Sequence, residues 1–117
     1  MKVLVIDDKE EVTDLISEFL NSKGIDNDIT NDPIIGFKKT KEERYDFILL
    51  DILMPEFSGI DFIHGLEREK RLQDQKIIIF SGLSLSDMEI EYLLKKQGVH
   101  GFIRKPINFN KLLVSIT

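Results

Sequence analysis

The sequence predicts an α/β fold, a (βα)5 three-layer sandwich in which a parallel five-stranded sheet lies between two layers of helices. Short apolar segments alternate with segments of helical periodicity along the whole chain. The apolar segments are continuous, which is typical of strands that helices cover on both faces. A chain of 117 residues is long enough for one real core, so we predict a single domain over residues 1–117.

The first half of the chain carries two strand–helix units. An apolar strand at residues 3–6 precedes a helix that ends near Gly24, where glycine takes its usual C-terminal position. Residues 25–30 form a weaker, polar strand that we expect at a sheet edge. Asp32 then caps a second helix, with Pro33 in its first turn. The apolar residues that predict the inner face of the first helix are Val12, Leu15, Ile16, Phe19 and Leu20.

The second half repeats this pattern three times. The predicted strands are residues 47–50, residues 77–80 and a short stretch around residues 102–103. We expect the third helix to begin at Ser58 or Gly59, and the fourth to be capped by Ser86 and to end at residues 97–98. The residues expected to face inward from the last two helices are Ile90, Leu93 and Leu94, then Phe109, Leu112, Leu113 and Ile116.

The composition argues against several classes of function. A formal net charge of -5 disfavours non-specific binding to nucleic acid, because phosphates would be repelled. The apolar runs are too short to cross a bilayer, and Met1 is followed almost at once by a strand, so we expect neither a membrane span nor a signal peptide. The absence of cysteine excludes disulfides and thiolate metal sites and favours a cytoplasmic location.

Polar side chains follow the strands at the points where the strands end. Asp7 and Asp8 follow the first strand, Asp51 the third, Ser81 the fourth and Lys105 the fifth. In an open parallel sheet these ends meet at one edge, where ligands bind. Three carboxylates repel one another unless they share protons or bind a cation, and Mg²⁺ prefers oxygen ligands. With an amine and a hydroxyl, the set favours phosphoryl transfer to an aspartate nucleophile.

A purely structural interpretation of the acids stays open. Acidic residues that follow strands are common helix caps, and Asp7 with Asp8 could simply cap the first helix. Because five polar positions converge on one edge of the sheet, a ligand-binding site at that edge is favoured over helix capping.

Several motifs occur in order along the chain. They are an acidic pair at residues 7–8, the sequence DILMP at residues 51–55 with Gly59 following, SG at residues 81–82, GFIRKP at residues 101–106, and the outlying Gly36-Phe37 pair and Asp46. In this order and at these separations they resemble the CheY-like receiver domain of two-component response regulators. The resemblance runs from Lys2 to the last helix. It implies a flavodoxin-like sheet with the strand order 2-1-3-4-5.

The resemblance also implies a role for each polar residue. Asp51 would accept a phosphoryl group from a histidine kinase, and Lys105 with Ser81 would hold the phosphoryl oxygens. Ser81 and Phe102 would form the switch, in which the hydroxyl moves toward the phosphate and the ring follows into the vacated space. The implied Mg²⁺ ligands are Asp8, Asp51 and the backbone carbonyl of Leu53, with Asp7 acting through water.

Three residues depart from the commonest family pattern. Ser81 stands in place of threonine and lacks its methyl group. Phe102 stands in place of tyrosine and lacks its hydroxyl, and its interpretation as a plain core residue stays open. Leu53 is apolar where polar residues often position water, so we hypothesise that Leu53 slows hydrolysis of the acyl phosphate.

The sequence as a whole predicts a stand-alone receiver, not an enzyme, that signals to a downstream protein by phosphorylation-dependent contact. The alternative is a relay intermediate that passes phosphate to a histidine phosphotransfer protein. An aspartate-nucleophile phosphatase would need a second aspartate where Leu53 stands. A nucleotide or flavin module would need a Gly- or Ser/Thr-rich loop where residues 7–11 are mostly acidic. A degenerate receiver that only binds partners is disfavoured by the complete site.

Four further residues have weaker signals. His64 is expected on the outer side of the third helix and His100 just before the fifth strand, and neither has a metal-ligand partner at helical spacing. Met88 and Tyr92 are four residues apart and off the inner stripe of the fourth helix, where they indicate at most a partner-binding patch.

Overall fold

The computed structural model describes residues 1–82 and 85–117, and its strands and helices alternate as the sequence predicts. The five strands are parallel and follow the order β2-β1-β3-β4-β5, as the family resemblance implies. The strands are β1 (Lys2–Ile6), β2 (Asp26–Thr30), β3 (Phe47–Asp51), β4 (Ile77–Ser81) and β5 (Val99–Arg104). The helices are α1 (Glu10–Ser22), α2 (Pro33–Glu42), α3 (Gly59–Arg68), α4 (Asp87–Leu94) and α5 (Phe109–Ile116), with a short 3-10 turn at Leu72–Asp74.

Two apolar cores cover the two faces of the sheet. Alternate residues of each strand point to opposite faces, so that Leu50 belongs to one core and Leu49 to the other. The first core packs the sheet against α3 and α4, with Phe37 of α2 at its margin. The second packs the sheet against α1 and α5. The polar strand β2 lies at the edge, as predicted, because its side chains cannot be buried on both faces.

The predicted ends of four helices are confirmed. Gly24 follows α1 with a positive φ of 71°, the conformation that favours glycine. The Asp32 side chain caps α2 by accepting from the backbone of Ile34 at 2.9 Å. Ser58 and Ser86 each form a capping box at the start of α3 and α4.

Two predictions of buried residues are wrong. Leu15 on α1 is 54% exposed, and fully buried Thr13 stands on the inner face instead. Leu94 on α4 is 40% exposed, and the buried residue of this helix is Leu93. Both helices therefore bury a narrower stripe than their apolar periodicity predicts.

The region around the fifth strand also differs from the sequence prediction. Helix α4 ends at Leu94 rather than at residues 97–98, and the chain turns at Gly98, whose φ is 107°. Strand β5 begins earlier than predicted, at Val99, so His100 lies inside it. The apolar signal covers only residues 102–103 of this strand, because β5 lies at an edge of the sheet, beside β4, and is less apolar than the central strands.

The start of α3 lies against the end of β3. A Cβ atom on Gly59 would be 2.4 Å from the backbone carbonyl oxygen of Asp51, a distance that no larger residue could accept. The Gly59 backbone N–H donates to the carbonyl oxygen of Ile52 at 2.9 Å. Glycine at this position lets the loop after β3 close tightly around Asp51.

Candidate functional site

Three acidic side chains meet at the carboxyl ends of β1 and β3. Carboxylate oxygens of Asp7, Asp8 and Asp51 lie within 4.8 Å of one another. Asp7 is fully buried and Asp51 is 2% exposed, whereas Asp8 is partly exposed. The alternation along the strands directs Asp7 and Asp51 toward the same face as Val5 and Leu49. The adjacent, parallel strands β1 and β3 therefore bring these acids together.

Lys105 is the cation of this cluster. Its Nζ donates to Oδ2 of Asp7 at 2.7 Å and lies 3.7 Å from Oδ2 of Asp51. The amine is thus closer to Asp7 than to Asp51. The backbone N–H of Lys105 donates to the carbonyl oxygen of Ser81 at 2.9 Å, which holds the loop after β5 against the end of β4.

The charges of the cluster are not balanced. Burial first, and the Asp7 carboxylate second, raise the pKa of Asp51 to about 6, although Lys105 opposes both effects. Burial and the neighbouring Asp7 also raise the pKa of Asp8. The three carboxylates outnumber the amines of Lys105 and Lys9, which leaves a deficit of positive charge and favours binding of a cation or of protons.

The donor set fits a hard divalent cation. Within residues 1–82 and 85–117, Oδ1 of Asp8 is buried and has no hydrogen-bond partner. The Leu53 backbone N–H reaches Oδ1 of Asp51 at 3.4 Å. These oxygens line a cleft of about 330 Å³ that also contains Lys9, Pro55, Gly82 and Lys105 among its walls. An unpaired buried carboxylate oxygen beside two other carboxylates matches the preference of Mg²⁺ for oxygen ligands.

Helix capping does not explain the acidic pair. Helix α1 begins at Glu10, and its N-cap residue is Lys9, which makes no capping bond through its side chain. Oδ1 of Asp7 accepts instead from the Lys9 backbone N–H at 2.9 Å, before the helix starts. The two acids therefore belong to the cluster rather than to the helix end.

Ser81 and Phe102 lie on the opposite face of the sheet from the acid cluster. Ser81 is buried at the end of β4, two residues after Ile79, and so points toward the same core as Ile79. Phe102 pairs with Ile79 in the parallel register and packs, partly buried, against that core. The guanidinium of Arg104 lies 5.4 Å from the Phe102 ring centre. The two predicted switch residues thus share one face.

The four residues with weaker signals lie away from the cluster. His64, Met88 and Tyr92 line a groove between α3 and α4, and Met88 is 81% exposed. The ring of His100 stands edge-on to Phe47 at the opposite end of β5. Among the described residues, the acid cluster and the lining of its cleft include neither histidine.

Sequence reasoning missed two residues that contact the acidic loop. Asn31 donates from its side-chain amide to the Asp7 carbonyl oxygen and to the hydroxyl of Thr13, at 2.9 Å in both bonds. The available signal was a threonine on the apolar face of α1, which indicates a buried polar partner. Its partner in the turn after β2 could not be identified from the sequence.

The strand order and the acids at the carboxyl edge define a CheY-like α/β domain, and comparison with known families agrees. The family model described as the response regulator receiver domain matches residues 3–117. The chain therefore belongs to the response regulator receiver domain family. Among the residues described, no helix is both long and apolar enough to cross a bilayer.

Curated relatives share the domain as part of longer proteins. The chain is 32% identical over 109 residues to a protein-glutamate methylesterase/protein-glutamine glutaminase of Methylobacillus flagellatus, covering 91% of this chain and 30% of that protein. A protein of the same description from Anaeromyxobacter dehalogenans is 30% identical over 105 residues, covering 90% and 29%. The chain thus spans about 30% of the length of these relatives, whose names describe the whole proteins.

Solved structures show the same fold. The Francisella response regulator 1452 receiver domain superposes with a TM-score of 0.85 at 28% identity, covering 98% of this chain and 92% of that one. The response regulator TrrA of Thermotoga maritima, solved in complex with Mg²⁺ and BeF, has a TM-score of 0.80 at 27% identity, covering 98% and 95%. Vibrio cholerae CheY4 shares the fold, with a TM-score of 0.83 at 24% identity, covering 98% and 94%.

Proposed function

We propose that Asp51 accepts a phosphoryl group from a histidine kinase in a Mg²⁺-dependent reaction. The observation that carries the proposal is the buried Asp51 carboxylate within 4.8 Å of two other carboxylates, beside one amine. Asp8, Asp51 and the Leu53 carbonyl would hold Mg²⁺, and Asp7 would act on it through water. When bound, Mg²⁺ would neutralise charge on the phosphoryl oxygens.

The residues around Asp51 suit transfer rather than turnover. A carboxylate oxygen of Asp51 would attack phosphorus as the bond from phosphorus to the donor imidazole nitrogen breaks, and the imidazole leaves neutral after it takes up a proton. Lys105 would hold a phosphoryl oxygen, because its Nζ already lies 3.7 Å from Asp51. Leu53, 62% exposed at the rim, offers no acid or base to activate water. We therefore assign storage of phosphate, not enzymatic hydrolysis, to this site.

The signal would leave the site through Ser81 and Phe102. The Ser81 hydroxyl would turn toward the phosphoryl oxygens, and the Phe102 ring would move into the space that it leaves. The two residues support this role by facing the same core from the adjacent strands β4 and β5, at register positions two residues apart. The output would be contact with a downstream protein in the cytoplasm, without direct binding of nucleic acid or membrane. Transfer onward to a histidine phosphotransfer protein is the alternative.

Acetyl phosphate provides the direct test. The purified chain incubated with acetyl phosphate and Mg²⁺ is expected to gain the mass of one phosphoryl group, and EDTA is expected to prevent the gain. Asp51→Asn should gain nothing, whereas Asp26→Asn, a matched change at an exposed aspartate of β2, should behave like the parent. An unmodified parent, or a modified Asp51→Asn variant, would contradict the proposal.

A further inference from the structure

Asn31 lies in the turn between β2 and α2 and bonds to both sides of the acidic loop. Its side-chain amide nitrogen donates to the backbone carbonyl oxygen of Asp7 and to Oγ1 of Thr13, each at 2.9 Å. Asp7 and Thr13 are both fully buried. The amide carries two hydrogens, so Asn31 commits its entire donor capacity to these two acceptors.

Thr13 extends this chain of hydrogen bonds into helix α1. Its hydroxyl donates to the carbonyl oxygen of Glu10 at 3.1 Å, so the same oxygen can accept from Asn31. A threonine hydroxyl fully buried on an apolar helix face is unfavourable without partners. The hydrogen bond that the hydroxyl donates to Glu10 and the one that it accepts from Asn31 satisfy this buried group.

The hydrogen bonds bracket the segment that carries the acids. Asp7 lies one residue beyond the end of β1, where its carbonyl oxygen is outside the strand and accepts from Asn31. Thr13 lies in the first turn of α1, and Asp8 and Lys9 stand between the two anchor points. Without a cation the carboxylates of Asp7 and Asp8 repel, which favours a rotation of this segment. The hydrogen bonds of Asn31, which lies in the separate turn after β2, oppose that rotation.

We propose that Asn31 is a positioning residue for the divalent-cation site: its amide ties the end of β1 to the first turn of α1 and so holds Asp7 and Asp8 in the arrangement that binds the cation. The inference rests on the proposed function, because it requires the acids to bind Mg²⁺. Residues that orient metal ligands typically change metal affinity by about 10–100-fold when they are replaced. Asn31 acts on a backbone carbonyl rather than on a carboxylate, so we expect the lower end, about tenfold.

The test is a calorimetric titration of Mg²⁺ into the parent and two asparagine variants. Asn31→Ala is expected to bind Mg²⁺ about tenfold more weakly than the parent. Asn27→Ala is the matched control, because the Asn27 amide also links β2 to its surroundings, donating to Oδ1 of Asn21 at 2.9 Å and to the Ile25 carbonyl oxygen at 3.0 Å. Asn27 pairs with Val3 near the start of β1, away from the acids, so its loss should leave the affinity unchanged.

A measurement without metal separates positioning from general stability. The Lys9 backbone N–H donates to Oδ1 of Asp7 at 2.9 Å, so its hydrogen exchange reports the arrangement of the loop. In Mg²⁺-free protein, the Lys9 amide hydrogen should exchange faster in Asn31→Ala than in the parent. The midpoint of thermal unfolding of Asn31→Ala should stay close to that of Asn27→Ala. Thr13→Val, which removes one acceptor at nearly constant volume, should weaken Mg²⁺ binding less. Its effect should not add fully to that of Asn31→Ala.

The outcomes distinguish this inference from the proposed function. Equal Mg²⁺ affinity of the parent and Asn31→Ala would overturn the positioning role and leave phosphorylation of Asp51 intact. Weakened binding in Asn27→Ala to the same degree would overturn it as well, because the effect would then be general to the β2–α1 contact. A parent that binds no Mg²⁺ would overturn the proposed function and this inference together.

Discussion

The two ends of the sheet both gather carboxylates, but among the described residues these carboxylates are paired more completely at one end than at the other. At the end where β1 and β3 begin, Lys2 pairs with Glu43 and lies 3.6 Å from Asp28, and the Tyr45 hydroxyl donates to Asp28 at 2.6 Å. The Lys2 backbone N–H donates to Asp46 at 2.7 Å. At the opposite end, within the part of the chain that the structure describes, three carboxylates share the Lys105 amine and the Lys9 and Leu53 backbone N–H groups, and Oδ1 of Asp8 has no partner.

The pKa shifts express the same contrast. The hydrogen bond from Tyr45 holds the pKa of Asp28 below its usual value, whereas burial raises the pKa of Asp51 to about 6. A carboxylate with a lowered pKa stabilises the fold in its charged form, and one with a raised pKa opposes folding when it is charged. The first end is thus a satisfied part of the scaffold. The second is electrostatically incomplete, as a binding site for a cation must be.

The largest expected effect is on metal affinity. Asp8→Asn removes a charged ligand itself from the incomplete end, so it is expected to weaken Mg²⁺ binding by more than the roughly 100-fold upper range seen for residues that only orient ligands. Glu43→Gln makes the same change of charge at the satisfied end and should leave the affinity unaltered. Calorimetric titration measures both affinities without a fluorescent reporter, which suits a chain that has no tryptophan. Equal losses in the two variants would mean that net charge, rather than the site, attracts the ion.

The next effect is on stability without metal. The pKa of Asp51 is raised by folding, so the folded state binds more protons than the unfolded state between about pH 4 and pH 6. The stability of the parent in EDTA should fall as the pH rises through this window and level off above it. Asp51→Asn should lack this loss and be more stable by up to about 3 kcal/mol at neutral pH, with the gain vanishing near pH 4.

Urea unfolding at several pH values with EDTA tests this prediction. Saturating Mg²⁺ should reduce the advantage of Asp51→Asn, because the ion stabilises the charged parent. A variant that is no more stable than the parent at neutral pH would show that Lys105 already balances the Asp51 charge.

A smaller effect is expected at the satisfied end. Tyr45 is 5% exposed, and Tyr45→Phe removes the donor to the charged Asp28, which should destabilise the fold by about 1–2 kcal/mol at neutral pH. Because the pKa of Asp28 is lowered by folding, its contribution is complete above the ordinary carboxyl range and is lost as the pH falls below it. The destabilisation should therefore shrink in acid. Chemical unfolding measures it, and Mg²⁺ affinity serves as the unchanged control.

The smallest expected effect is on the lifetime of the phosphorylated form. Leu53→Asn places an amide at the rim of the incomplete end, where it can orient water toward the acyl phosphate, so we expect hydrolysis to become several-fold faster. Val114→Asn makes a comparable change at a residue of α5 that is 77% exposed and should have no effect. Loss of phosphate after removal of acetyl phosphate is followed by mass. Equal rates in Leu53→Asn and the parent would contradict the protective role of Leu53.

Much of the fold follows from local patterns. Continuous apolar strands, capping residues at Asp32, Ser58 and Ser86, and glycine after α1 act within a few residues, so they can be recognised in the sequence. The errors at Leu15 and Leu94 have a different origin. The width of the buried stripe depends on how much of the helix surface the sheet and the neighbouring helices cover, which periodicity does not encode.

The sequence alone determined the class of fold and the family. It also placed five polar residues at strand ends, and βα alternation brings the carboxyl ends of all strands to one edge of the sheet. These residues are Asp7, Asp8, Asp51, Ser81 and Lys105. The tertiary structure decided how the charges are shared there. It brought the Lys105 amine closer to Asp7 than to Asp51, left one oxygen of Asp8 without a partner among the described residues, and joined Asn31 to Thr13. These features depend on distances of a few ångströms between segments far apart in the chain, and electrostatic and hydrogen-bond energies change steeply over such distances.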